Sequence, residues 1–391
     1  MLPFSPAAHL NRVPFTRAFV SGREHAYMAD ALRTGCIAGD GIFTRKCEAL
    51  LEQALGEPRA RVLLTTSCTH ALEMAALLLE IGPGDEVIVP SFTFVSTANA
   101  FVSRGAVPVF VDVRADTLNL DERALRWAVT ARTRAIVPVH IGGVGCAMNE
   151  ILSIARDRGV AVVEDNAHGL FATSDGKSLG SFGLMGTYSF HDSKNFSCGE
   201  GGALVVNDGS LVRRAEVLRE KGTNRRLFSE GQIDHYTWID IGSSFAPSDL
   251  LAAYLLAQLE SRETITTKRR AIWTRYRDEL RDWATTEGVR MQEIPPHCEP
   301  SWHVFYLILP NRRSRDALRQ HLQDRGIEAH PHYEPLHLSP MGRTHGGAPG
   351  QCPVTEQITA GLLRLPMFTE LTQENQDYII QNVSRFSTSS C

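Results

Sequence analysis

The chain reads as an α/β protein with a mostly parallel central sheet, helices on both faces of that sheet, and a smaller C-terminal α+β unit. Two observations predict this. Between residues 60 and 165, short β-rich runs alternate with helical patterns, and the runs are apolar throughout rather than at every second position. Strands buried on both faces have that character. The chain also has 391 residues, 43% of them hydrophobic and 21% charged. That length and balance suit two or three folded units of an ordinary globular enzyme and argue against disorder.

Strands are expected at Val62–Leu64, Val87–Pro90, Val107–Val113, Ala135–Val139 and Val160–Val163. Helices are expected between them, at Ala71–Leu79, Thr97–Arg104, Asp121–Val129 and Asn149–Arg158. Gly82-Pro83-Gly84-Asp85 separates the first helix from the next strand by turn chemistry. Past Asp165 the chain turns glycine-rich, with strands at Thr187–Phe190 and Ala203–Val206 and a helix over Leu211–Lys221. A single long helix is expected over Ser248–Arg281 as a connector. Residues 1–250 then form a large unit, and 251–391 supply the connector and a smaller one, with a strand at His303–Leu309 and a helix at Arg315–Arg325. The final Ser387-Thr388-Ser389-Ser390-Cys391 is read as a frayed tail.

Composition excludes several classes. The net charge is -4, so no basic field is available to hold a nucleic-acid backbone or an anionic membrane. The N-terminus lacks the charged and apolar regions of a signal peptide, and no run reaches the length of a membrane helix. None of the eight cysteines forms a C-x-x-C pair; reduced thiols in a cytoplasmic protein are expected. Five of the 40 basic residues are lysines: Lys46, Lys177, Lys194, Lys221 and Lys268. Arginine has taken the surface role but cannot act as a Schiff-base amine, because it stays protonated.

Three segments carry chemistry. Ser67-Cys68-Thr69 joins a buried strand to a helix, and a helix start offers free N–H groups and a positive dipole end to a phosphate. The same hydroxyls equally serve plain helix capping. Asp165 closes the strand that ends Val162-Val163-Glu164-Asp165, at the carboxyl edge where α/β sites form, with His168 three residues on. A carboxylate there could keep a pyridine nitrogen protonated; an ordinary strand-end aspartate is the plainer reading. Lys194 stands between a strand and the Gly199-Glu200-Gly201-Gly202 turn. A Schiff-base lysine needs burial to lower its amine pKa and a fixed backbone to aim it. An exposed loop lysine is the alternative.

Three other patterns are set aside. Gly176-Lys177-Ser178 lacks the earlier glycine of a phosphate loop, where Phe171 stands. Gly142-Gly143-Val144-Gly145 lacks dinucleotide-loop spacing. His330, His332 and His337 lie in a proline-rich loop without helical or thiolate ligand spacing, so polar contacts rather than a metal are expected.

Taken together, these segments resemble the PLP-dependent sugar-nucleotide aminotransferases of the DegT/StrS kind, which share the fold-type-I, aspartate aminotransferase-like architecture. The resemblance runs from about Phe15 to Phe386. It includes Gly39-Asp40-Gly41, Ser67-Cys68-Thr69, Ser91-Phe92-Thr93-Phe94-Val95-Ser96-Thr97-Ala98-Asn99-Ala100, the Lys194 segment, Glu220-Lys221-Gly222-Thr223-Asn224-Arg225 and Tyr236–Ser244. It implies pyridoxal 5'-phosphate (PLP) as cofactor, carried on Lys194, whose amine also shuttles the proton. Asp165 then pairs with the pyridine nitrogen, and His168 stands where the family usually has glutamine against the ring hydroxyl. Phe94 matches the aromatic that stacks on the ring. Ser67, Cys68 and Thr69, with Ser189, match the phosphate site. Ser244 matches a position that reaches the phosphate from the neighbouring subunit, which implies a homodimer with shared active sites.

The implied reaction moves an amino group from an amino acid, L-glutamate, to a nucleotide-linked keto sugar. The pattern most resembles transaminases that convert dTDP-4-keto-6-deoxy-D-glucose to dTDP-4-amino-4,6-dideoxygalactose. Ile141 departs from the tyrosine of a Val-His-Tyr-Ala-Gly pattern, and Tyr333 lies in a loop with a changed interior; both are expected near the substrate. A 3-keto sugar or cyclitol is the alternative acceptor. A PLP dehydratase is disfavoured, since relatives of that kind carry histidine in place of Lys194. A regulatory PLP-fold protein without catalysis is the remaining reading, and no basic face supports it.

Overall fold

The computed structural model describes residues 12–35 and 37–388. The readings made above for residues 1–11 and for the last three residues lie outside these.

The central sheet is built from β1 (Arg61–Thr65), β2 (Glu86–Pro90), β3 (Val107–Val111), β4 (Thr133–Ile136) and β5 (Ala161–Asp165). Two short strands follow, β6 (Thr173–Ser174) and β7 (Lys177–Ser178), then β8 (Met185–Ser189) and β9 (Gly202–Val206). Seven of them form one sheet in the order β1-β9-β8-β5-β4-β2-β3. The run from β8 to β3 is parallel, and β9 alone lies antiparallel to its neighbours β1 and β8. The expected mostly parallel α/β sheet is therefore present.

Alternation explains why the strands are apolar throughout. Successive side chains point to opposite faces. Leu63, Val163, Leu204 and Val206 face one core with the helix Cys68–Leu78. Val62, Leu64, Ala203 and Val205 face another, built from the helices α1 (Glu24–Arg33), α2 (Ile42–Leu55) and Asp249–Leu259. Each strand thus needs apolar residues at both parities. Gly176-Lys177-Ser178 is a hairpin tip leading into β7, and Lys177 pairs with Glu57 at 3.3 Å.

The expected single helix over Ser248–Arg281 is two helices, Asp249–Leu259 and Arg262–Thr286, broken at Glu260-Ser261. The first half is apolar nearly all round and is buried against α1 and α2. The second is amphipathic and turns Trp273, Tyr276 and Leu280 into a different core. One straight helix cannot serve both. That second core joins a three-stranded sheet (Arg290–Met291, Tyr306–Ile308, Leu362–Arg364) to the helices Arg312–Gln323 and Gln373–Ser384. The strand expected at His303–Leu309 begins only at Tyr306. None of the described helices is long and apolar enough to cross a membrane.

Gly39-Asp40-Gly41 is a structural joint. Gly41 precedes α2, and a Cβ there would fall 2.3 Å from the Asp249 carboxylate. That carboxylate accepts from the Thr44 N–H at 2.7 Å and so caps α2 from a distant helix. Asp40 and Glu48 together neutralise the fully buried guanidinium of Arg219, at 2.7 and 2.6 Å.

Candidate active site

The carboxyl edge of the sheet gathers the functional residues. Thr65, the last residue of β1, pairs with Gly202, which pairs with Ser189, the last residue of β8. One strand further, Asp165 ends β5 opposite Thr187. Loops leaving this edge surround a cavity of about 510 Å³ lined by Ser67, Cys68, Thr69, Phe94, Asp165, His168, Ser189, Lys194 and Tyr333. Nine of the sequence-predicted site residues therefore meet in one place.

The helix α3 (Cys68–Leu78) begins at the cavity wall. Ser67 caps it, its hydroxyl accepting from the His70 N–H at 3.1 Å. Capping and anion binding are not exclusive here, because the N–H groups of the first turn still lack helical acceptors. The close fit of α3 on the sheet depends on Gly202: a Cβ there would lie 2.3 Å from the Cys68 nitrogen. Thr69 shares a 2.7 Å hydrogen bond with Ser96, which ties α3 to α4 (Val95–Val102). The result is a positive helix end flanked by hydroxyls, with Ser189 on the same cavity wall.

Asp165 is buried and oriented. The Thr97 hydroxyl donates to its Oδ2 at 2.7 Å, and the Ala167 N–H to its Oδ1 at 3.2 Å. Thr97 in turn is bonded to Thr93 at 2.7 Å. The neighbouring Glu164 points to the opposite side, as strand alternation requires. It accepts from the N–H groups of Gly180, Phe182 and Gly183 and meets His140 Nε2 at 3.0 Å. One acid of the pair aims at the cavity while the other holds a loop.

His168 is neutral. Burial, with the nearby charges of Lys194 and Arg364, holds its imidazole well below the usual pKa. The Gly142 N–H donates to its Nδ1 at 3.3 Å, which leaves the ring proton on Nε2 facing the Tyr333 hydroxyl at 3.4 Å. Gly142 and Gly143 both have positive φ, and a Cβ on Gly143 would strike the Ser301 hydroxyl. The Ile141–Gly143 turn thus acts on the site through its backbone. The Ile141 side chain itself lies in the core behind the wall, with Phe92 and Val304, and does not line the cavity.

Lys194 projects from a loop pinned at its base. The Phe190 N–H donates to the Gly201 carbonyl at 2.8 Å, and the Cys198 N–H to the Phe190 carbonyl at 3.0 Å. Beyond Lys194, Phe196 is buried against Phe171, and Asn195 bonds to the Ser301 carbonyl and His303. Burial lowers the Lys194 pKa to about 8, opposed by the nearby Cys68 and Asp165 and assisted by the Arg364 charge. Relative to an ordinary lysine at 10.5, the free-amine fraction at neutral pH rises about 300-fold. Covalent capture of an aldehyde cofactor by the cofactor-free protein should therefore speed up with pH, reach half its limit near pH 8 and level off about one unit above it. Borohydride trapping at a series of pH values measures this; a rise continuing to the normal lysine range would contradict it.

Phe94 precedes α4, is 56% exposed as a residue, and has its ring centre 6.2 Å from that of Tyr333. Ser244 is also exposed and lies off this cavity, beside Glu220. Four residues that sequence reasoning left unassigned join the site: Thr97, His303, His332 and Arg364. Thr97 lay inside a quoted motif, and its spacing of two residues from Val95 at a helix start was the available signal. His332 is buried and lies against Tyr333, with ring centres 3.7 Å apart and planes tilted by 47°, while His337 bonds to Ser91 and Glu356 at 2.5 and 3.0 Å. The described residues contain no group of three or more metal-type ligands.

The site fits PLP. A buried lysine of lowered pKa, an oriented carboxylate and an anion cradle opened by Gly202 surround one cavity of suitable size. The comparisons agree. The profile of the DegT/DnrJ/EryC1/StrS aminotransferase family matches residues 20–384. A pleiotropic regulatory protein of Geobacillus stearothermophilus is 34% identical over 324 residues, covering 81% of this chain and 82% of its own. The aminotransferase TlmJ of Streptoalloteichus hindustanus superposes with a TM-score of 0.87 at 30% identity, over 96% of this chain and 98% of its own. Spr1654 of Streptococcus pneumoniae, described as a sugar aminotransferase and solved in its PLP form, gives 0.87 at 26% identity, over 95% and 98%. The chain belongs to the DegT/DnrJ/EryC1/StrS aminotransferase family and is a PLP-dependent aminotransferase.

Proposed function

We propose that the enzyme moves the amino group of L-glutamate to a nucleotide-linked keto sugar, with dTDP-4-keto-6-deoxy-D-glucose as acceptor and dTDP-4-amino-4,6-dideoxygalactose as product. The observation that carries the reading is Lys194 and Asp165 in one cavity, both held by surrounding structure. The sugar assignment is supported by the likeness to Spr1654 and by the sequence resemblance.

Bound PLP supplies an aldehyde that exchanges amino groups and a ring that accepts the electrons left when the donor loses its α-proton. Lys194 supplies the amine that holds the cofactor. With the donor bound, that amine would be free to take a proton and return it, a task suited to a pKa near neutrality. Asp165, oriented by Thr97 and the Ala167 N–H, would hold a proton on the pyridine nitrogen. Neutral His168 offers its Nε2–H, and the exposed Phe94 ring covers a face. The start of α3, with Ser67, Cys68, Thr69 and Ser189, binds the phosphate.

The working unit is a homodimer with shared sites. Trp238, Ile239 and Ile241 are exposed beside Ser244, and an apolar surface strip of this kind calls for a partner; Ser244 then completes the neighbour's phosphate site. The free cysteines among the described residues suit a cytoplasmic enzyme.

Incubation with PLP, L-glutamate and dTDP-4-keto-6-deoxyglucose should yield the amino sugar and 2-oxoglutarate in equal amounts. If neither forms while another keto sugar or a cyclitol ketone does, the acceptor assignment is wrong and the transaminase reading survives.

A further inference from the structure

Asn195 follows Lys194 directly and spends both ends of its amide on the segment that leads into the strand Tyr306–Ile308. Its Nδ2 donates to the Ser301 carbonyl at 2.6 Å, so its Oδ1 is the end that faces His303 Nδ1, at 2.9 Å. An amide oxygen only accepts, and the proton in that bond therefore sits on His303 Nδ1. His303 is also neutral: burial first, then nearby cations with Lys194 among them, hold its imidazole well below the usual pKa. A neutral ring with its proton on Nδ1 carries a bare lone pair on Nε2. His303 lines the cavity that contains Lys194, and Nε2 has no partner among the described residues.

The two neighbouring histidines offer something else. His168, its ring centre 4.5 Å from that of His303, takes the Gly142 N–H on Nδ1 and presents a proton at Nε2. His332 makes ring contacts with Phe92, Tyr333 and His168, and no hydrogen bond among the described residues fixes its tautomer. Of the three, His303 is the one whose lone pair is placed in advance. A fixed, buried acceptor favours a ligand that brings a proton to it. L-glutamate brings carboxylates, which only accept and are repelled by a lone pair. A keto sugar or a cyclitol ketone brings hydroxyls. Its ketone carbon must come to the place where the Lys194 amine holds the cofactor, which leaves the hydroxyl on the adjacent carbon within the same cavity.

We infer that His303 Nε2 accepts a hydrogen bond from the hydroxyl beside the ketone of the amino-group acceptor, and so selects hydroxylated ketones in the second half-reaction. This rests on the proposed function, with Lys194 as the cofactor lysine and a sugar-like ketone as acceptor.

The test uses the PLP-loaded enzyme and its His303→Asn and His303→Gln variants, whose amide groups stand where Nδ1 and Nε2 stood. His303→Asn keeps the bond to Asn195 and deletes the acceptor; His303→Gln keeps an acceptor and deletes the bond. The sugar half-reaction is followed with dTDP-4-keto-6-deoxyglucose and with its 3-deoxy analogue, which lacks the hydroxyl. The parent should favour the hydroxylated sugar about tenfold in KM. His303→Asn should lose that preference by raising the KM of the hydroxylated sugar alone, and His303→Gln should keep part of it. Calorimetry with dTDP-6-deoxyglucose, which has no ketone and does not react, should rank the affinities in the same order, with the parent first and His303→Asn last. A preference that survives in His303→Asn overturns the assignment, and so does the opposite ranking, which is the mark of a histidine that only ties two segments together. Should His303→Asn fail to fold, the ¹⁵N signal of Nε2 in histidine-labelled parent enzyme decides: it should move upfield when dTDP-6-deoxyglucose binds, and a signal that stays in place overturns the assignment. Two controls separate the underlying reading. Absence of borohydride trapping on Lys194 overturns the cofactor assignment. Absence of turnover with the keto sugar overturns the acceptor assignment, and the comparison is then made between the ketone that the enzyme does aminate and its analogue without the neighbouring hydroxyl.

Discussion

Lys194→Arg is expected to abolish transamination, with kcat falling by about 10⁴-fold or more, the scale of losing a positioned acid–base group together with covalent catalysis. The substitution keeps the positive charge and most of the length, so the loss isolates the one property arginine lacks, a removable proton. Stability should move the other way. Burial lowers the Lys194 pKa to about 8 in the fold against 10.5 in an ordinary setting. At pH 7 both folded and unfolded chains carry the proton, and the folded chain bears the whole cost of burying it, on the order of 3 kcal/mol. That cost is fully present below about pH 8 and fades as the pH rises towards 10.5, where both states hold the neutral amine. Lys194→Met in the cofactor-free protein should therefore unfold at no lower a temperature than the parent at pH 7, and its advantage should shrink at pH 10. Thermal unfolding at the two pH values, beside steady-state turnover with added PLP, checks both halves. A variant that is inactive and also markedly less stable would mean that Lys194 is a structural lysine.

The sheet was legible because its strands carry apolar residues at both parities, and that pattern has few other uses. Lys194 and Asp165 were legible for local reasons: one is a lysine in a chain that avoids lysine, the other ends a buried strand. What was not legible depends on long-range geometry. Arg364, His303 and His332 reach Lys194 from more than a hundred residues further along the chain, and nothing beside them marks a cavity. Ile141 was expected near the substrate because it departs from the tyrosine of a Val-His-Tyr-Ala-Gly pattern, yet its side chain packs in the core with Phe92 and Val304 and does not line the cavity. The break at Glu260-Ser261 was hidden because both halves have helical periodicity; only the change in what each half packs against separates them. Ser67 served two readings at once: the structure shows the capping bond, and its place on the cavity wall supports the proposed phosphate role.

Asp165→Asn is expected to lower kcat by about 10³-fold, near 4 kcal/mol of transition-state stabilisation, the scale of removing a positioned electrostatic partner from a water-poor site. Asparagine preserves the shape. The Thr97 hydroxyl, 2.7 Å from Oδ2, can still donate to the amide oxygen, while the Ala167 N–H loses its 3.2 Å acceptor at Oδ1, a cost to the fold of about 1 kcal/mol. The larger loss is the negative charge, and with it the means to keep a proton on the pyridine nitrogen. The same deletion has a second effect of opposite sign. The Asp165 charge raises the Lys194 pKa against the effect of burial, so its removal lets the amine fall further and capture the cofactor at lower pH. The variant should thus trap PLP on Lys194 at least as readily as the parent at pH 7 and yet turn over about a thousandfold more slowly. A purely structural role for Asp165 would weaken both together. Borohydride trapping and single-turnover kinetics on one preparation separate the two, because only a carboxylate that acts on ring electronics can improve capture when lost while disabling the chemistry that follows.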